Sequence, residues 1–207
     1  APLGLTGLVW KTQNSSAVYE HLQQQNIAGS APAEFFRPVA LNDGTSPNAR
    51  FRTVPLAASR VPNGRSFFCH HLTPELVWRN EWQRHPNGVA DITEFVISAA
   101  DPQDAAQVYG ELFGAGALEI RPQEVTLRAG RATVRFVTPE QATAEFGTVP
   151  EGENGSARMV GLEFATRSLE AVRNSLRVGE ITFRDDVDLV SVRAADGLGV
   201  ALKFSEE

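Results

Sequence analysis

Cysteine occurs once, at Cys69, so no disulfide can form within the chain and internal cross-links are excluded as its source of stability. A lone thiol also fits a reducing compartment, and we expect a cytoplasmic protein. No apolar run approaches the roughly 18–20 residues that a membrane-spanning helix requires, and no leader pattern is visible. Lys and Arg nowhere form a block and the net charge is −6, which argues against nucleic acid as the main partner. Absent too are the G-x-S-x-G elbow, the P-loop, the G-x-G-x-x-G turn, paired C-x-x-C and H-E-x-x-H. What is there is an ordinary globular composition: 207 residues, 42% hydrophobic and 21% charged. That is enough for a sizeable core, in one large domain or two small ones.

Side chains suited to chemistry gather in one stretch, Ser66–Gly88 (SFFCHHLTPELVWRNEWQRHPNG). It holds His70, His71 and His85 of the four histidines, and Trp78 and Trp82 of the three tryptophans. Phe67-Phe68 reads as a buried strand. Thr73-Pro74-Glu75 reads as a helix start, with a capping hydroxyl, proline at the first helical position and an acid in the first turn. On such a helix Trp78 and Trp82 share a face, and Glu75 and Arg79 are spaced for an ion pair. His85-Pro86-Asn87-Gly88 reads as a turn. His70 and His71 are adjacent on a strand, so their side chains point to opposite faces.

The rest of the chain repeats one order: strand, helix, three strands. The first unit has a strand at Leu5–Thr12, a helix over Ser16–Gln25, and strands at Val39–Leu41, Arg50–Leu56 and Ser66–His71. The second begins with Asp91–Ala99, followed by an Asp101-Pro102 helix start. Its helix carries Ala105, Val108, Tyr109, Leu112 and Phe113 on one face. Strands at Leu118–Ile120, Glu124–Leu127 and Ala132–Val137 complete it. After a linker at Val149–Ser156 the third unit runs from the strand Met159–Ala165 through a helix capped by Ser168. Strands at Ile181–Phe183, Leu189–Val192 and Val200–Phe204 end it. The spacing predicts an α+β fold of three βαβββ units, divided as residues 1–88 (the first unit with its connecting segment) and 89–207 (units two and three, paired). One unit cannot bury both faces of its sheet, so units must pair to close a core.

The repeat, the phrase FFCHHLTPELVWRNEWQRHPNG before ITEFVIS, and the ending DGLGVALKF resemble the vicinal-oxygen-chelate superfamily and, within it, the glyoxalase-like domain proteins. The resemblance covers nearly the whole chain. It implies curved mixed sheets that form a cup, and often one more βαβββ unit in front. The chain opens with Ala1-Pro2-Leu3, and a front unit is expected to be missing here or to lie on another polypeptide. Superfamily enzymes hold a divalent metal in the cup, with ligands from the first and last strands of each unit. Carried over by position, the first-strand sites fall on Gly7, Glu94 and Gly161, and the last-strand sites on Lys203 and near Val134 or Arg135. The cup of units two and three therefore departs from the metal pattern. It offers Glu94, Lys203, Arg135 and Glu163, as an internal ion-pair network or an anion pocket.

For the first unit the resemblance implies His70 or His71 as ligand to Zn, Fe, Ni or Mn, with Glu75 and His71 as catalytic groups. Phe68, Trp78 and Arg79 would line the substrate. The expected function is a glyoxalase-like small-molecule enzyme: a metal-dependent lyase, isomerase or dioxygenase. The competing reading is a non-catalytic drug- or metabolite-binding protein of the same fold. The expected partners are a small-molecule ligand, with no nucleic acid and no membrane. The unpaired first unit predicts a homodimer or pairing with the absent front unit.

Overall fold

The computed structural model describes residues 3–61, 64–152 and 156–206. The chain divides into two compact units, Gly7–Gln83 and Arg84–Glu207 with Ala1–Thr6. The fold is mixed α+β, built on two mixed sheets.

In the first unit β1 (Gly7–Thr12) leads into α1 (Ser15–Gln24), then β2 (Ala33–Pro38), β3 (Asn48–Pro55) and β4 (Arg65–His71). Asn14 starts the helix, its side-chain oxygen accepting the Ala17 N–H at 3.0 Å. The strand order is β1-β4-β3-β2, with β1 and β4 parallel and the other neighbours antiparallel. Alternation along the strands sorts the side chains. Leu8, Trp10, Val54 and Phe68 are buried together with Leu22 of α1. Trp10 Nε1 donates to Ser66 Oγ at 2.8 Å, which satisfies the indole inside the core. Lys11, Phe51, Thr53, Phe67, Cys69 and His71 alternate with these residues and face the other way.

Two expectations for this unit need correction. The second strand is Ala33–Pro38, not Val39–Leu41. Every residue of β2 is exposed, so this edge strand lacks the apolar alternation by which a half-buried strand is recognised. Val39–Leu41 instead narrows the hairpin, through Val39 N–H to Pro47 O and Leu41 N–H to Thr45 O. The segment after Thr73 is two 3-10 turns, Pro74–Leu76 and Asn80–Trp82, and not an α-helix. The Thr73 hydroxyl accepts the Arg50 backbone N–H at 2.8 Å and makes no capping bond.

The second unit holds two more modules. One is β5 (Val89–Ser98), α2 (Pro102–Phe113), β6 (Leu118–Arg121), β7 (Glu124–Ala129) and β8 (Ala132–Val137). The other is β9 (Arg158–Thr166), α4 (Leu169–Val178), β10 (Arg184–Asp185), β11 (Val190–Val192) and β12 (Ala201–Glu206). Between them lies a helix outside the repeat, α3 (Pro139–Phe146). The first strands β5 and β9 pair antiparallel and join both modules into one eight-stranded sheet, β10-β11-β12-β9-β5-β8-β7-β6. One face carries α2 and α4. There Tyr109 of α2 meets Phe136 at 5.6 Å between rings, and Leu169 and Val172 of α4 pack on Val190, Val192 and Phe204. The strand expected at Ile181–Phe183 is instead the two-residue β10, because Ile181 closes the end of α4 through its N–H to Leu176 O. The expected linker Val149–Ser156 falls partly on residues 153–155, outside the described residues.

Candidate functional site

The inner face of the eight-stranded sheet, opposite α2 and α4, is filled by the chain itself. Glu94, Val96, Arg135, Gly161, Glu163 and Lys203 occupy neighbouring rungs there. Helix α3 lies on this face because its last turn answers both kinds of group. Phe146 is buried with Val96, Ala142, Val160 and Ala201. A Cβ on Gly161 would come within 3.1 Å of the Phe146 ring, so the glycine is what admits the ring. One residue earlier, Glu145 accepts two bonds from Arg135, Nη1 to Oε2 at 2.9 Å and Nη2 to Oε1 at 2.8 Å. Lys203 also donates to Glu145, lies 3.2 Å from Glu163 and stands 4.4 Å over the Phe146 ring. Arg135 Nε donates to Glu94 at 2.9 Å, and Thr133 Oγ1 to the same carboxylate at 3.1 Å.

The titration behaviour follows from this crowding. Burial pushes the Glu94 carboxyl up; Glu163 adds to the shift, and the charge of Arg135 only partly opposes it. For Glu145 burial also pushes upward, but the bonds from Arg135 and Lys203 outweigh it and the carboxyl ends below its ordinary value. Burial alone would lower the basicity of Arg135, yet the bonds to Glu145 and the charge of Glu94 raise it, so the guanidinium stays charged. This network joins Glu94, Arg135 and Lys203 of the expected set. Sequence reasoning missed Glu145, which comes from α3. The signal was present: Thr138-Pro139-Glu140 repeats the helix-start pattern, and here the Thr138 hydroxyl does accept the Gln141 N–H at 3.3 Å.

The first unit presents the opposite situation. On the face away from α1, Trp78 Nε1 donates to His71 Nδ1 at 2.9 Å. The two ring centroids are 5.5 Å apart and the ring planes are 19° from parallel. Phe51 meets His71 edge-on at 5.3 Å and stacks on Phe35 at 5.1 Å. Lys11 Nζ stands 4.9 Å over the Trp78 ring. An indole N–H can only donate, so His71 Nδ1 carries the lone pair and the imidazole hydrogen sits on Nε2. Burial, followed by the charges of Lys11 and His70, holds the His71 imidazole below the ordinary value of 6.5, in its neutral form. A cavity of about 380 Å³ continues the face, lined among others by Thr53, Pro55, Ala58 and Phe67. Trp78 is 51% exposed and Phe35 40%, so the rim of this surface is open, while Cys69 at its middle is buried.

The remaining expected residues separate from this group. His70 turns to the α1 side, where its Nδ1 lies 3.3 Å from Ser15 Oγ. Phe68 is buried in the core with Trp10 and Val54 and is not placed to touch a ligand on the open face. Glu75 is exposed in the first 3-10 turn. Arg79 pairs with Glu81 at 2.5 Å, not with Glu75, and stacks over Trp82 at 5.3 Å; without an α-helix the four-residue spacing does not bring side chains together. His85 serves its turn, with Nδ1 2.5 Å from Asn87 Oδ1.

These donors do not fit a divalent metal. His70 and His71 lie on opposite sheet faces, and the lone pair of His71 Nδ1 is already engaged by Trp78. Among the described residues no three His, Cys, Asp or Glu side chains gather as a ligand set.

The profile of the glyoxalase-like domain family matches residues 1–113. The chain belongs to this family. No curated protein sequence matches it. A hypothetical protein from Staphylococcus aureus shares its fold at a TM-score of 0.64 and 8% identity, over 95% of this chain and 64% of that one. The glyoxalase-like chain thus spans about 64% of that protein's length. Methylmalonyl-CoA epimerase from Mycobacterium tuberculosis aligns at 19% identity over 59% of this chain and 91% of its own, with a TM-score of 0.40. Among the described residues no helix is long and apolar enough to cross a membrane.

Proposed function

We propose that this glyoxalase-like protein is a cytoplasmic small-molecule enzyme whose site is the open face of β1, β3 and β4 around His71. One contrast carries the reading. The inner face of the eight-stranded sheet is occupied by α3 and a self-satisfied ion network, whereas the face carrying His71, Trp78 and Phe51 leaves aromatic and polar groups exposed. In this reading His71 acts as a neutral donor through Nε2–H, polarising a carbonyl or stabilising an oxyanion. Trp78 holds the imidazole in that tautomer. Isomerase or lyase chemistry suits such a group. The inner face of the second unit serves the fold.

The test is turnover of a panel of small carbonyl compounds: 2-oxo acids, 2-oxoaldehyde–thiol adducts and acyl thioesters. We expect a hit that His71→Ala abolishes and Lys203→Met does not. A hit lost only on changing the Glu94, Arg135 and Lys203 group would move the site to the second unit. Binding without turnover would favour the non-catalytic reading.

The same unit carries a proposal on assembly. β1 is the edge of its four-stranded sheet and Val9 is 52% exposed. The equivalent first strands of the other modules, β5 and β9, pair antiparallel. We infer that β1 pairs in the same way with β1 of a second copy.

A further inference from the structure

Lys11 has no assigned task, and its place on the sheet gives it one. It pairs with Cys69 on β4, so it shares the open face with His71 two residues further along. Thr53 stands opposite Cys69, and Pro55 opposite Phe67, on the same face. The order along that face is therefore an apolar cavity at Pro55 and Phe67, a cation at Lys11, and then the Nε2–H donor of His71 backed by Phe51. Successive same-face positions on a strand are about 7 Å apart, roughly the length of one substituted benzene ring. Among the described residues no carboxylate forms an ion pair with Lys11; its ammonium instead lies over the Trp78 ring.

A cation and a neutral N–H donor recognise an anion. An apolar cavity and aromatic walls recognise a flat hydrocarbon body. We propose that the open face of the first unit binds an aryl carboxylate, its carboxylate between Lys11 and His71 Nε2–H and its ring toward Phe67 and Pro55. Trp78 is a positioning residue: its N–H bond to Nδ1 keeps the hydrogen of His71 on the side that donates. The lowered basicity of His71 agrees with this, because the ring is a donor while remaining uncharged. This inference rests on the site proposed above and adds the class of compound that fills it.

The test uses the full chain and three probes: benzoate, benzamide and cyclohexanecarboxylate. Binding is read by indole fluorescence and by the nitrogen resonances of the histidine rings. We expect benzoate to bind near 1 mM or tighter, benzamide to fail for want of charge, and cyclohexanecarboxylate to bind more weakly. Lys11→Met should weaken benzoate about tenfold, as loss of a bond to a charged group does. Trp78→Phe should bring the Nδ1–H tautomer of His71 into view and weaken benzoate, an effect that a packing defect alone would not give. His71→Gln, which retains an N–H donor, should bind better than His71→Ala. Circular dichroism confirms that each variant is folded. If benzoate and benzamide behave alike, or Lys11→Met leaves benzoate binding unchanged, the inference is overturned. Turnover of an uncharged carbonyl compound that depends on His71, with no benzoate binding, would leave the site standing and remove the carboxylate.

Discussion

Arg135 and Glu145 meet through two parallel N–H···O bonds of 2.9 and 2.8 Å, from the strand β8 to the last turn of α3. This fork is what ties a helix outside the repeat to the sheet. Both side chains are largely withdrawn from solvent. Removing the guanidinium strands several carboxylates at once, and Arg135→Ala is expected to cost about 3 kcal/mol, as for a broken buried pair. Glu94→Ala is expected to cost less, about 1–2 kcal/mol, since Arg135 retains Glu145 and Glu124. Urea unfolding of the two variants checks the order; equal costs would show that Glu94, not α3, is the anchor.

The acids of this network predict a sign for pH. The folded value for Glu145 lies below its ordinary 4.5, so its contribution is complete above pH 4.5 and is lost as pH falls through the folded value. The folded value for Glu94 lies above 4.5, so its ionisation as pH rises through that value works against the fold. Glu145→Gln should therefore be more harmful at pH 7 than at pH 4, and Glu94→Gln should be least harmful at pH 7. Unfolding midpoints at the two pH values decide it.

At Gly161 the absent side chain is the point. A Cβ there would meet the Phe146 ring at 3.1 Å and the Val96 Cβ at 3.3 Å. Gly161→Val should expel the ring and cost about 2 kcal/mol, in the range for overpacking. Adding Phe146→Ala should then cost less than it does in the parent protein. Thermal unfolding of the double-mutant cycle measures this coupling.

The modules could be read from the order of apolar segments and turns, because a repeat announces itself three times. The site was read less completely, for reasons that sit in particular residues. Thr73-Pro74-Glu75 and Thr138-Pro139-Glu140 carry the same helix-start signal, yet only the second starts an α-helix. The Thr73 hydroxyl is taken by the Arg50 N–H across the sheet, a contact between residues 23 positions apart that no local pattern contains. Glu145 stayed hidden because it belongs to α3, which lies between the repeats. The histidine pair was legible as two faces of one strand, while the lone pair of His71 depended on where Trp78 comes to lie.

Assembly through β1 makes a further prediction. Sedimentation of the chain should show a dimer, and Val9→Lys, which places a charge at the exposed edge, should shift it to monomer. A wild-type monomer at the same concentration would remove the proposed pairing.

The central claim is that ligands meet the first unit at His71 and not the inner face of the second. Backbone amide shifts recorded while adding a compound that the protein binds or turns over test it most directly. The account predicts changes at Val9–Lys11, Thr53, Phe67–His71 and Trp78, with the eight-stranded sheet undisturbed. Changes centred on Glu94, Arg135, Gly161 and Lys203, with His71 and Trp78 silent, would contradict it.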